Sequence, residues 1–386
     1  MIPLKYSTAN LRARRMATAM TVAGIGVVIA VMLAMLALDR GVRSQLTASG
    51  SPDLLLVMRD GADAELSSQV TKEALAIIGT LPGVAKASDG APLVAPQFVS
   101  LFKLPKRDSA KKANVTVRGV TPTMFLLRPY VRIIEGRVFR PGVNEVIVSR
   151  RIRDRFAGMN VGDSFRFGPR TWVVTGVFDA EGTAFDSEMW CDIGYLMQVR
   201  KREAVSSVLV KPAGRHAFQS VAAAVHDDPR LQLQAKSERQ YYADQTQGLN
   251  GIKRLVQIVA FFMVGAAIFG TMNTMFSAIA ARGRELATLR ALGFRRRSIL
   301  LSVMIESAAI ALLGGIAGVL FALPVNFIST GTFNGMTMSE VAFNFRVDGG
   351  VAAIGIVTAL AAGIAGGLLP ALRAATLPIT RALREI

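Results

Sequence analysis

LVQIVAFFMVGAAIFGTMNTMFSAIAA, from Leu255 to Ala281, carries no charged side chain, and the segment after it, RGRELATLRALGFRRR from Arg282 to Arg297, carries six arginines and one glutamate. An α-helix rises ~1.5 Å per residue, so about 20 residues cross the hydrocarbon core of a bilayer. The apolar run predicts a membrane-spanning helix, and its abrupt end marks where the chain meets water. Three further runs share the pattern. Met16–Leu38 is uncharged and stops at Asp39, Ser298–Ile328 is apolar apart from Glu306, and Gly349–Leu372 lies between Asp348 and Arg373. Four spans follow, and Pro324 is expected to end or kink the third.

The charges outside the runs orient them. Lys5, Arg12, Arg14 and Arg15 precede the first span, six arginines join the second to the third, and Arg373, Arg381 and Arg384 follow the fourth. With four spans these segments share one side, and their common basic character makes that side the cytoplasm. The first run exceeds the roughly 7–15 residues of a signal-peptide core, which favours an uncleaved anchor. The expected order is a cytoplasmic amphipathic helix at 1–15, spans at 16–40, 251–281, 298–328 and 349–372, and an outer domain at 41–250. A cytoplasmic helix at 282–297, a short outer loop at 329–348 and a cytoplasmic tail at 373–386 complete it.

Composition agrees. Of 386 residues, 51% are apolar and 19% charged, a balance that is rare in a fully soluble chain and points to a membrane protein with a sizeable soluble part. The net charge of +18 gathers at span ends without interleaved aromatics, so a nucleic-acid partner is not expected. Cys191 is the only cysteine, which excludes a disulfide scaffold.

Small residues four apart mark where helix backbones approach in lipid. Such ridges run through Gly26, Ala30 and Ala34, through Ala266, Gly270, Thr274 and Ala278, and through Gly314, Gly318 and Ala322. The strongest is Gly355, Ala359, Gly363 and Gly367. Glu306 is the one acidic group inside a span. It reads either as a functional carboxylate or as a structural group bonded to a neighbouring helix, and the absence of a second intramembrane acid favours the structural role.

The outer domain reads as α/β. Strands are expected at Pro52–Met58, after the turn Leu81–Val84, and at Val115–Val120, Glu145–Val148, Phe165–Phe167, Val173–Phe178, Ser206–Val210 and Leu231–Leu233. Helices are expected at Asp63–Thr80 and His216–His226. A strand–helix–strand unit thus stands at each end, with a β-rich insertion between. Lys103–Lys112 reads as an exposed loop, and Ser237–Lys253 as a helix continuing into the second span. No catalytic constellation is apparent. His216 and His226 lack metal-ligand spacing, there is no G-x-S-x-G, and no G-x-x-x-x-G-K-[ST] is present to cradle nucleotide. No cofactor is expected on this chain.

Asn273 in the second span, then Arg282, Glu285, Leu286, Arg290, Ala291, Leu292 and Gly293, then Glu306, closely resemble the signature of FtsX-like permeases, a family that includes MacB, the LolC/LolE subunits and DevC-type exporters. Leu286 stands where isoleucine is usual. Gly366–Ala375 with Pro378 resembles the family's C-terminal end, and Gly119–Pro122 and Gly136–Phe139 resemble its periplasmic core domain. The resemblance implies four transmembrane helices with an α/β outer domain of the MacB periplasmic core type, in the bacterial inner membrane. Because the sequence holds no ATPase domain like MacB's, it implies a split arrangement: a non-catalytic permease whose ATP and Mg are bound by a separate ABC ATPase. A second permease subunit and a periplasmic adaptor are further implied partners, beside membrane lipids. Arg282, Arg284, Glu285, Leu286, Leu289, Arg290, Leu292 and Gly293 would form the ATPase-coupling helix, and Asn273 and Glu306 would be functional candidates within the membrane. The cargo would be a lipoprotein, lipid or amphiphile. Two alternatives stand beside this reading: an FtsX-like mechanotransducer that switches a cell-wall hydrolase without transport, and a membrane-anchored scaffold without an ATPase.

Overall fold

A computed structural model describes residues 15–107, 111–247, 250–327, 329–334 and 338–376. Residues 1–14 of the N-terminal helix expected at 1–15, and Pro378, Arg381 and Arg384, lie outside the described residues. The chain forms two compact units: Val42–Asn250 with Thr330–Phe343, which holds the expected outer domain and is called the outer unit, and Met1–Gly41 with Gly251–Ser329 and Asn344–Ile386.

Helix α1 runs from Arg15 to Ser49, past the expected end of the first span at Arg40. The reason lies in the added turns. Val42, Gln45, Leu46 and Ser49 recur at helical spacing and are all buried, so the outer unit supplies them with a core until Gly50 and Pro52 stop the helix.

Strand β1 (Leu55–Arg59) leads through a 3-10 turn at Glu65–Ser67 to helix α2, which spans only Lys72–Thr80. The longer helix expected from Asp63 is prevented at Val70, which exchanges backbone hydrogen bonds of 2.8 and 2.9 Å with Val205 and stays extended. Thr71 then caps α2, its hydroxyl accepting from the Ala74 amide at 3.2 Å. Strands β2 (Val94–Pro105) and β3 (Lys112–Val120) form a long hairpin. It takes only Lys103, Leu104, Pro105 and Lys112 from the two ends of the stretch expected to be a loop, because Phe102 and Leu104 point inward on either side of exposed Lys103.

Helix α3 (Thr123–Leu127), strands β4 (Arg132–Gly136) and β5 (Glu145–Ser149), helix α4 (Arg150–Arg155), and strands β6 (Ser164–Phe167), β7 (Arg170–Asp179) and β8 (Glu188–Asp192) make up the insertion. Helix α5 (Ile193–Arg200), strand β9 (Ser207–Val210), helix α6 (Arg215–Asp227), strand β10 (Leu233–Ser237) and helix α7 (Glu238–Gln247) close the outer unit. Strand β10 begins where the expected strand ended. One sheet joins the strands in the order β10-β1-β9-β2-β3-β8-β5-β7-β4, with β6 on β7. Helices α2 and α6 cover one end of it through Ala74, Ile78, Val221 and Val225. The insertion and the β2–β3 hairpin share a second core around Phe102, Phe156 and Trp172.

Helix α8 (Asn250–Ala280) follows α7, and their join at 248–249 lies outside the described residues. Helix α9 (Gly283–Ala291) precedes α10 (Arg296–Ala322), which gives way to a 3-10 turn just before Pro324. The loop expected at 329–348 contains a two-stranded sheet of β11 (Ser329–Asn334) and β12 (Ser339–Asn344). Helix α11 spans Gly349–Thr376. Helices α1, α8, α10 and α11 are each long and apolar enough to cross a membrane.

Close approach of these helices depends on missing side chains. A Cβ on Gly355 would lie 2.8 Å from Leu33 of α1, and one on Gly363 would collide with Ala311 of α10. Gly367 lies against Ser307, whose hydroxyl donates to the Gly363 carbonyl at 2.6 Å, and Ala359 lies against Gly315. Gly314 and Gly318 face Ile25 and Ile29 of α1. The ridge expected on α8 packs differently: Ala266 and Gly270 are exposed, and α8 instead meets Gly366 of α11 through Ile268 and Thr271.

Candidate functional site

Between α8 and α10 the chain makes an elbow built around Arg282. Its Nη1 donates to both carboxylate oxygens of Glu306 at 3.1 and 3.0 Å, and its Nε lies 3.4 Å from Glu285. The side chains of Arg282 and Glu306 are 12% and 10% exposed, so the intramembrane acid has a structural cation directly against it. Leu286 and Ala287 turn inward, Leu286 onto Met275, Ile279, Ile299 and Val303. Arg290 donates to the Ala375 carbonyl at 3.2 Å, satisfying a free acceptor in the last turn of α11.

The far end of α9 closes by local chemistry. The Gly293 amide donates to the Arg290 carbonyl at 3.1 Å and the Phe294 amide to the Leu289 carbonyl at 3.2 Å, which is a Schellman motif. Gly293 has φ +91°, a region that Cβ disfavours. The expected coupling residues therefore divide. Arg282 and Leu286 face inward, Leu289 and Arg290 are half-buried, and Arg284, Glu285, Leu292 and Gly293 are exposed. Leu292, 71% exposed, is an apolar knob beside charged neighbours. Asn273 is exposed on α8 and does not line the space around Arg282 and Glu306.

The outer unit contains a polar cluster that the sequence reading missed. Arg118 of β3 is 3% exposed. Its Nε and Nη2 donate to the two oxygens of Glu188 at 2.8 and 2.6 Å, and its Nη1 to Glu65 at 2.8 Å and Gln97 at 2.7 Å. Trp190 Nε1 donates to Glu188 at 2.9 Å, and the Ser207 hydroxyl to Glu65 at 2.6 Å. Burial alone would raise the Glu65 pKa, but the charge and hydrogen bond of Arg118, with Ser207, hold it below its ordinary value. Beside this set, buried Arg128 pairs with buried Glu238 and lies 4.0 Å over the Phe185 ring. Burial pushes neighbouring Tyr130 up to about 12. An arginine within the apolar run Val115–Val120 was the available sequence signal.

Comparison with known proteins places these features in a family. Residues 18–228 match the MacB-like periplasmic core domain, more than half of the chain, and residues 257–379 match the FtsX-like permease C-terminal region. The chain belongs to the MacB/FtsX-like ABC transporter permeases. This permease is 25% identical over 402 residues to the pyoverdine export ATP-binding/permease protein PvdT of Pseudomonas entomophila, covering 96% of this chain and 57% of that protein. It is 24% identical over 420 residues to the macrolide export ATP-binding/permease protein MacB of Bordetella avium, covering 99% and 60%. The permease chain thus spans about three fifths of these relatives' length. Among solved structures, the periplasmic region of MacB from Actinobacillus actinomycetemcomitans matches with a TM-score of 0.37 and 13% identity, covering 50% of this chain and 91% of that one. The extracellular domain of YknZ from Gram-positive bacteria matches at 0.36 and 18%, covering 47% and 99%.

Proposed function

We propose that this permease receives the motion of a separate ABC ATPase at the α9 elbow and delivers it to the outer unit, where it moves cargo. The observation that carries the reading is the elbow. One face of α9 is fixed by Arg282–Glu306, Leu286 and Arg290–Ala375, while Arg284, Glu285 and Leu292 face outward. A helix gripped on one side and open on the other suits a push from a partner. On this reading the elbow and both termini are cytoplasmic, the protein lies in the bacterial inner membrane, and the chain itself hydrolyses nothing. A second permease subunit completes the assembly, and a periplasmic adaptor receives or supplies cargo.

The names of PvdT, a pyoverdine exporter, and MacB, a macrolide exporter, support export over control of a cell-wall hydrolase. Co-purification from membranes with an ABC ATPase expressed alongside tests the elbow. Glu285→Ala and Leu292→Asp are expected to weaken ATPase association and lower its turnover, and unchanged association would remove the basis of the reading. ATPase stimulation by an amphiphile, set against stimulation by a hydrolase, separates export from signalling.

A further inference from the structure

Three chain segments lead out of the outer unit: the end of α1, the α7 segment and the β11–β12 sheet. Each brings a side chain to one cavity of ≈ 40 Å³, where Leu46 of α1, Tyr241 and Gln245 of α7, and Ser339 of β12 meet Arg118 and Glu65. The ends of α1 and α7 are also tied to each other. A Cβ on Gly50 would lie 2.5 Å from Arg239 Cα, so the two helix ends touch through backbone.

The side chains close this contact into a ring. Gln45 Nε2 donates to the Thr183 carbonyl at 3.0 Å, and the Ser49 hydroxyl accepts from the Ala184 amide at 2.7 Å. The next residue is Phe185, which supports Arg128. Arg128 holds one oxygen of Glu238, the first residue of α7, and the other oxygen accepts from the Ser51 amide at 3.0 Å, two residues beyond α1. Fixed charges and hydrogen bonds constrain direction as well as distance. Apolar residues of the same volume would leave such a fold about as stable, so stability alone does not account for buried ion pairs here.

We propose that Arg128, through Glu238 and Phe185, is a positioning residue that locks the ends of α1 and α7 together, so that both helices drive the outer unit as one body, with Arg118 passing that displacement to the sheet. This rests on the reading of the chain as an ATP-coupled permease.

The test uses the full permease with its ATPase in nanodiscs, and hydrogen exchange without nucleotide and with ATP trapped by vanadate. In the wild type, trapping is expected to change the protection of α8 and of β2 and β3. If it changes neither, the functional reading fails before the lock is in question. The double variant Arg128→Met/Glu238→Leu removes both charges together, so neither is left buried alone. It is expected to keep basal ATPase activity and the α8 response while the β2 and β3 response falls by about fivefold or more, the low end of ordinary coupling. A spin-label pair at Ala48→Cys and Gln240→Cys, two exposed positions, is expected to give a narrow distance distribution that broadens in the double variant. An unchanged β2 and β3 response in the folded variant overturns the proposal. Should the double variant not fold, Ser49→Ala decides by the same two readouts, with a smaller expected loss and the same overturning result.

Discussion

Arg282 and Arg118 are both held by glutamates, yet one sits at an elbow and the other inside a sheet. Arg282 has Glu306 as its principal partner, is 12% exposed, and adjoins a helix with an open face. Arg118 has two glutamates and a glutamine, and is sealed between strands. The difference is in what each pair can answer to. The elbow pair fixes one side of a helix whose other side meets solvent or a partner. The sheet pair has no outward side and responds only to the elements packed around it, among them α7.

Breaking the two pairs should show this contrast, beginning with the largest effect. Arg118→Met leaves Glu65 and Glu188 buried without their cation, and is expected to destabilise the outer unit by about 3–5 kcal/mol, read as a fall in its thermal unfolding midpoint. Gly363→Val places a side chain where Ala311 already lies and should cost about 1–3 kcal/mol through overpacking of α10 on α11, read by resistance to unfolding in detergent. Arg282→Gln loses charge-assisted bonds at a less buried site, so about 1.5–3 kcal/mol is an upper range. Its larger effect is expected on ATPase coupling, measured as turnover in the reconstituted complex. Gly293→Ala retains the Schellman bonds at positive φ and should cost about 1 kcal/mol, detectable as a small shift in the same melts.

Acid sharpens the comparison on the sheet side. The folded pKa of Glu65 lies below its ordinary 4.5. The stability it contributes is complete above the unfolded value and is lost as pH falls through the folded one. Unfolding of the outer unit should therefore become easier as pH drops below about 4.5. In Arg118→Met that part of the pH dependence should disappear or reverse, because Glu65 has lost the cation that favours its charged form.

Legibility in the sequence followed the same division. The four apolar helices, the elbow and the glycine ridge on α11 are announced by uninterrupted hydropathy, arginines at span ends and small residues four apart. The outer unit's two strand–helix–strand ends were also readable from alternation and turns. Tertiary contacts decided what was misread. Val70 pairs with Val205 and denies α2 its first turns, and buried Leu46 and Ser49 carry α1 past Arg40. The ridge on α8 failed because small residues mark possible approach, and the partner helix met Ile268 and Thr271 instead. Arg118 and Arg128 were missed because a charged side chain is ordinarily read as solvated. Only the fold shows that their carboxylate partners come from the 3-10 turn at Glu65–Ser67, from β8 and from α7.

The most direct measurement is the affinity of detergent-solubilised permease for its ABC ATPase, wild type against Leu292→Asp, a change on the open face of α9 that touches none of the residues gripping the elbow. A loss of affinity of about tenfold, roughly 1.4 kcal/mol, with an unchanged melting temperature is the predicted result. Equal affinity in the two proteins would contradict the assignment of α9 as the point where the ATPase acts.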